Sequence, residues 1–192
     1  DRDSQIDRLG IYVQDEIAFS ESLKLLAGLR YETVDQEVKN EEAFFTRTGA
    51  DISEFNDAWT PRVGIVYKPV EEVSLYASYS QSFNPNIDNF DTDGNPLKPE
   101  RGEGYEVGVK TELFENNFLA TLSYFDITKK NVATQDLNFP GAGISIATGE
   151  QRSRGIELDL SGQILPGWNI IAAYAYTDAE VTQDNTISIG NE

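Results

Sequence analysis

The sequence contains no cysteine, no histidine and no methionine. Without cysteine there are no disulfides, thiolate zinc sites or iron–sulfur clusters. Without histidine, a Ser-His-Asp triad, an HExxH zinc site and imidazole acid–base catalysis are excluded. No run approaches the ~18 consecutive apolar residues of a membrane-spanning helix. Positive charge is scarce: 15 Lys and Arg stand against 33 Asp and Glu, a net charge of −18 over 192 residues. Taken as a whole, such a surplus repels nucleic acid phosphates and anionic membrane surfaces, so no nucleic acid partner is expected. The opening DRDSQIDRLG has neither a basic n-region nor an apolar h-region, so a mature chain or an excised piece of one is expected.

What the sequence does have is alternation with a period of two. Leu9, Ile11, Val13, Ile17 and Phe19 fall on odd positions, Arg8, Gly10, Gln14 and Glu16 on even ones. The pattern restarts with Leu23, Leu25, Ala27, Leu29 and Tyr31, then with Trp59, Pro61, Val63, Ile65 and Tyr67, then with Val73, Leu75, Ala77 and Tyr79. It recurs in Tyr105, Val107, Val109 and Leu113, in Ile156, Leu158, Leu160 and Ile164, and in Trp168, Ile170, Ala172, Tyr174 and Tyr176. Strict alternation of this length predicts strands with one apolar and one wet face. The segment Phe118 to Ile127 is apolar on both faces and is also expected to be a strand. Strands are predicted near 7–19, 23–36, 59–68, 73–83, 104–114, 118–134, 144–164 and 168–182. The fold class is all-β, an antiparallel up-and-down meander of about eight strands.

Short turns are expected around Glu21, Val70, Asn116 and Pro166, and long polar segments from about Asp35 to Asn56, Asn84 to Gly102 and Gln135 to Gly143. Short connections at one rim and long ones at the other match a transmembrane barrel. Trp59 to Tyr67, Tyr105 to Leu113 and Trp168 to Tyr176 share one separation. At ~3.3 Å per residue and ~40° tilt it spans roughly 20 Å, near the height of an outer-membrane apolar band. Aromatics mark both ends: Phe19, Tyr67, Phe118 and Trp168 by the short turns, Tyr31, Trp59, Tyr79, Phe83, Tyr105 and Tyr176 by the long loops. Such rings suit the two headgroup layers. A soluble β-sandwich or lipocalin-like barrel fits less well, because Arg62, Glu106, Lys110, Glu112, Glu157 and Asp159 charge the wet stripes heavily and a sandwich has no use for two aromatic girdles. An eight-stranded barrel closed on itself, with a passive or structural role, is the alternative architecture. An enzyme is not expected, since no nucleophile–base constellation is found.

Several runs together resemble the barrel of TonB-dependent siderophore receptors. They are Gly10-Ile11-Tyr12-Val13-Gln14-Asp15-Glu16, Thr60-Pro61-Arg62-Val63-Gly64, Ser74 to Pro85, Leu97-Lys98-Pro99-Glu100, Gly104 to Lys110, Tyr124 to Val132 and Gly149 to Leu158. The resemblance implies part of a transmembrane barrel of about 22 strands, plugged by its own N-terminal domain and opened by the TonB complex. It implies import of ferric siderophores through a bacterial outer membrane, with outer-membrane lipid against the wall and no cofactor. This sequence shows no plug, no TonB box and no terminal strand ending in an aromatic residue, so a middle-to-late portion of the wall is expected.

The wet stripe is expected to line the lumen, with Arg62 and Tyr76 as wall residues able to touch substrate. Loop aromatics Phe44, Phe45, Phe83, Phe90 and Phe139 are expected to offer stacking surface to a chelate whose iron is already coordinated, so no metal ligands are needed. The acidic first loop, with Glu32, Asp35, Glu37, Glu41, Glu42, Asp51, Glu54 and Asp57, would favour cationic or neutral ligands. Asn89, Asp91, Asp93, Gly94 and Glu100 have the spacing of a calcium loop, but Asn at the first position and the nearby Pro96 and Pro99 favour an Asp-Gly turn.

Overall fold

The computed structural model describes residues 2–40, 52–86, 89–114, 117–139, 141 and 143–183. The described residues form one antiparallel sheet of eight strands in sequential order. These are β1 (Arg2–Ala18), β2 (Leu23–Asn40), β3 (Ile52–Val70), β4 (Val73–Asn84), β5 (Glu100–Leu113), β6 (Phe118–Gln135), β7 (Ser145–Leu165) and β8 (Trp168–Gln183). Every neighbour pair is consecutive in sequence, and among the described residues β1 pairs only with β2 and β8 only with β7. Among the described residues the sheet is open, so they do not form the self-closed eight-stranded barrel.

Side chains paired directly across strands share a face, and the register sorts the sheet into two. One row reads Ile65, Ala77, Val107, Tyr124, Ile156, Tyr176 and the next Tyr67, Leu75, Val109, Leu122, Leu158, Tyr174. This face is apolar and open: Leu9, Ile11 and Val13 are 63–69% exposed, and Tyr174 and Tyr176 about as much. Among the described residues the buried hydrophobic side chains are Val34, Val38, Ala58, Phe90 and Leu97, all toward the long-loop rim. Among the described residues no second protein layer covers the apolar stripe, which leaves lipid as the phase it suits. The opposite face carries rows such as Gly64, Ser78, Glu106, Phe125, Gly155, Thr177 and is predominantly polar.

The strand ends at the short turns fall close to their predicted positions. At the other rim the strands run further: β1 starts at Arg2 rather than 7, β2 ends at Asn40 rather than 36, β3 starts at Ile52 rather than 59 and β5 starts at Glu100 rather than 104. Above the headgroups no hydrocarbon imposes an apolar stripe, so the alternation fades while the hydrogen-bond ladder continues. Within the segment expected as an acidic loop from Asp35 to Asn56, the described residues 35–40 and 52–56 are therefore strand. Glu32, Asp35 and Glu37 lie on β2 and Glu54 and Asp57 on β3, whereas Glu41, Glu42 and Asp51 lie outside the described residues.

Candidate functional site: the inner wall and the outer rim

The inner wall is built by long side chains lying across glycines of the adjacent strand. Arg62 covers Gly28, where a Cβ would stand 2.9 Å from the Arg62 Cγ, and Arg30 covers Gly10 in the same way at 2.7 Å. Tyr76 covers Gly108 at 2.6 Å, and Phe125 covers Gly155 at 2.8 Å. At Gly10, Gly28 and Gly108 any side chain would push its neighbour off the wall, whereas at Gly155 a Cβ would also stand 2.1 Å from the Tyr176 carbonyl oxygen. The Tyr76 hydroxyl donates to Glu106 Oε1 at 2.6 Å, fixing the ring along the wall.

Charges on this face are unevenly matched. Arg30 pairs with Glu32 at 2.7 Å and Lys24 with Glu16 at 3.3 Å. Arg62, Lys110, Glu157 and Asp159 have no ion pair among the described residues. Arg62 lines a hollow of about 550 Å³ with Tyr12, Gln14, Gly28, Arg30, Thr60 and Ser80. Its guanidinium is thus an open hydrogen-bond donor and positive charge on the inner wall, a little below the level of Trp59.

At the long-loop rim the β4–β5 connection folds onto the β6–β7 hairpin. Asn86 Nδ2 donates to Lys98 O at 2.6 Å and to Asn131 O at 3.1 Å, and Asn131 Nδ2 donates to Pro99 O at 3.0 Å. Ser145 N donates to Phe90 O at 2.8 Å, and Ser145 Oγ donates to Asn89 Oδ1 at 3.2 Å. Asn131 holds φ +59°, a left-handed conformation that asparagine tolerates better than most residues. Phe90, Leu97, Asn86 and Asp136 are all under one-tenth exposed, a small core above the membrane.

The residues singled out from the sequence are dispersed by this geometry. Arg62 and Tyr76 are on the inner wall. Phe83 lies on the outward face, with the Arg101 guanidinium 5.7 Å from its ring centroid. Phe90 is buried, and its ring braces the rim rather than presenting a free face. Phe139 is 46% exposed at the tip of the β6–β7 hairpin, and Phe44 and Phe45 lie outside the described residues. Within the calcium-like spacing, Asp91 Oδ1 accepts from the backbone of Asp93 at 2.9 Å and of Asn95 at 2.8 Å, and Glu100 pairs with Lys129 at 3.1 Å. These carboxylates hold a turn and a strand. One feature escaped the sequence reading: Val34, Gln36 and Val38, at most 4% exposed on the inward side of β2. The Gln36 amide nitrogen finds no hydrogen-bond acceptor among the described residues. The continued alternation Val-x-Gln-x-Val was the signal that could have found them.

A family model described as TonB dependent receptor-like, beta-barrel, matches residues 1–192. The chain is 38% identical over 190 residues to the metal-pseudopaline receptor CntO of Pseudomonas aeruginosa, covering 97% of this chain and 26% of that protein. It is 36% identical to the ferrichrome outer membrane transporter/phage receptor of Escherichia coli K12, covering 92% of this chain and 22% of the relative. The crystal structure of the siderophore receptor PiuA from Acinetobacter baumannii superimposes with a TM-score of 0.82 at 28% identity, over 96% of this chain and 27% of that one. The chain thus spans about a quarter of the length of the curated relatives it matches. With an open meander, a lipid-suited outer face and a polar inner wall, it belongs to the TonB-dependent receptor-like β-barrel family.

Proposed function

We propose that this chain is a wall segment of a TonB-dependent outer-membrane importer of ferric siderophores, its inner face turned to a plug and to passing ligand. One observation carries the reading: among the described residues the sheet is open at β1 and β8 while Arg62, Lys110, Glu157 and Asp159 on its inner wall have no ion pair. An open curved sheet is completed by further strands, and large closed barrels of this type enclose a plugged lumen. Glu157 and Asp159, facing inward, call for cationic or hydrogen-bonding groups from whatever fills that lumen. The relatives named above support the cargo class, since they are receptors or transporters named for pseudopaline–metal, ferrichrome and siderophore. Binding the chelate whole requires no metal ligands from the wall. Arg62 supplies charge and hydrogen bonds on the inner wall, Tyr76 a phenol held flat on the same wall nearer the short turns, and Phe139 an exposed ring at the rim. Phe44 and Phe45 are proposed as rim contacts on sequence grounds alone. Phe83 and Phe90 serve by holding the rim.

The test is uptake of radiolabelled ferric siderophores by a receptor-deficient bacterium that expresses the full-length protein. Accumulation that requires both TonB and the proton-motive force is expected. Uncoupled leakage of small solutes without accumulation would overturn the reading in favour of a passive pore.

A further inference from the structure

We infer that Asp15, a carboxylate on the lipid side of β1 at mid-membrane, pairs with a lysine or arginine on the strand that adjoins β1 in the full-length barrel. The pair fixes the register of that closure. Asp15 stands opposite Ala27, in a row that continues through Val63, Tyr79 and Tyr105 on the outward face. Its neighbour Gln14 points the other way, since a Cβ on the inward Gly28 would meet Gln14 Cγ at 3.5 Å. Along β1, Asp15 lies midway between Phe19 of the short-turn girdle and Ile11, which pairs with Tyr31 of the outer girdle. Among the described residues it is the one charged group on the outward face between the two girdles. There the other strands present aliphatic, aromatic or small side chains, with Thr111 the most polar.

The sheet itself gives this carboxylate no partner. Ala27 directly opposite and Leu25 and Leu29 diagonal to it are apolar, and Asp15 has no ion pair among the described residues. Nor can it reach a headgroup. At ~3.3 Å per residue and ~40° tilt, roughly 10 Å of hydrocarbon separates it from either girdle, and aspartate lacks the long stem by which lysine or arginine snorkels. An ionisable group at this depth is retained where another group pairs with it.

The free edge of β1 is the side from which such a group comes. The chain spans about a quarter of the length of its curated relatives, and a strand laid along that edge brings a directly opposite Cβ within ~4.5–5.5 Å. A diagonal neighbour is also within reach of a long basic side chain, as the inner face shows between β1 and β2. There Lys24, diagonal to Glu16 in the register, pairs with it at 3.3 Å. The apolar stripe alone forbids a slip of one residue but tolerates a slip of two, which returns every side chain to its own face. An ion pair in hydrocarbon forbids both. The inference goes beyond import, because it concerns how the wall closes.

The test is urea titration of the full-length receptor refolded into lipid vesicles, with folding followed by heat-modifiable gel mobility. The sign of one substitution decides. Asp15→Leu would stabilise a barrel in which the carboxylate stood alone, but it strands the cation of a pair, so the folded-to-unfolded ratio is expected to fall at least about tenfold. Replacing the facing basic residue by leucine as well should restore the wild-type ratio or exceed it, because a buried pair exchanged for apolar groups is neutral or stabilising. A rise with Asp15→Leu alone, or a double variant no more stable than the single one, would overturn the inference. So would an adjoining strand with no lysine or arginine opposite or diagonal to Asp15. Should Asp15→Leu fail to fold, the charge-swapped pair, Asp15→Lys with the basic residue changed to aspartate, is expected to fold where Asp15→Lys alone does not; equal failure of both also overturns it. Iron uptake is not the readout, so failure here leaves the importer reading standing.

Discussion

The Tyr76 ring lies flat over Gly108, so close that a Cβ on the glycine would stand 2.6 Å from the ring. Gly108→Ala must lift the ring and break its hydrogen bond to Glu106. Overpacking of this kind costs about 1–3 kcal/mol, read as a lower urea midpoint for the full-length receptor in bilayers. Because the two residues act as a pair, Tyr76→Ala in the same background should recover part of the loss. Strict additivity of the two substitutions would refute the seating of the ring.

The two faces predict opposite tolerance to the same substitution. Ile65 and its partner Ala77 face lipid, whereas the adjacent Ser78 faces inward. Ile65→Arg should cost about 2–4 kcal/mol at the middle of the apolar band, and Ser78→Arg much less. Urea titration of the receptor refolded into lipid vesicles measures both. Equal costs would count against the membrane orientation.

Asn86 ties the β4–β5 connection to Lys98 and Asn131 by two hydrogen bonds while almost fully buried. Asn86→Ala leaves those carbonyls unsatisfied, at about 1–3 kcal/mol. The loss should appear as local opening: chymotrypsin cleavage after the buried Phe90 of the same connection accelerates by about tenfold or more. An unchanged cleavage rate would mean that the rim is held by other contacts.

Expressed alone in water, the chain exposes two unpaired strand edges and an apolar face. Aggregation follows from either. Size-exclusion chromatography after refolding without detergent should show no monomer, and a stable monomer would contradict the open, lipid-facing sheet.

The sequence made the span of the sheet legible because hydrocarbon and water impose opposite demands on alternate residues. Leu75, Ala77 and Tyr79 could be assigned to a face with no knowledge of the neighbouring strand. Above the headgroups that demand lapses. Glu37 and Glu54 read as loop although they lie on paired strands, and their place followed only from the ladder. The rim aromatics misled for a related reason. Phe90 in a polar segment has the composition of a ligand-stacking residue, yet a loop folded onto a neighbouring hairpin needs its own small core. Phe83 has the parity of the outward stripe, but its position after Ser82 gave no indication of Arg101 beside it. Chain topology decides such contacts, and residues far apart in sequence supply them.

The sideways seating of Arg62, Tyr76 and Phe125 on glycines has a mechanical consequence. Each of these bulky groups is braced by the strand beside its own, so the contour of this face is set inside the sheet itself.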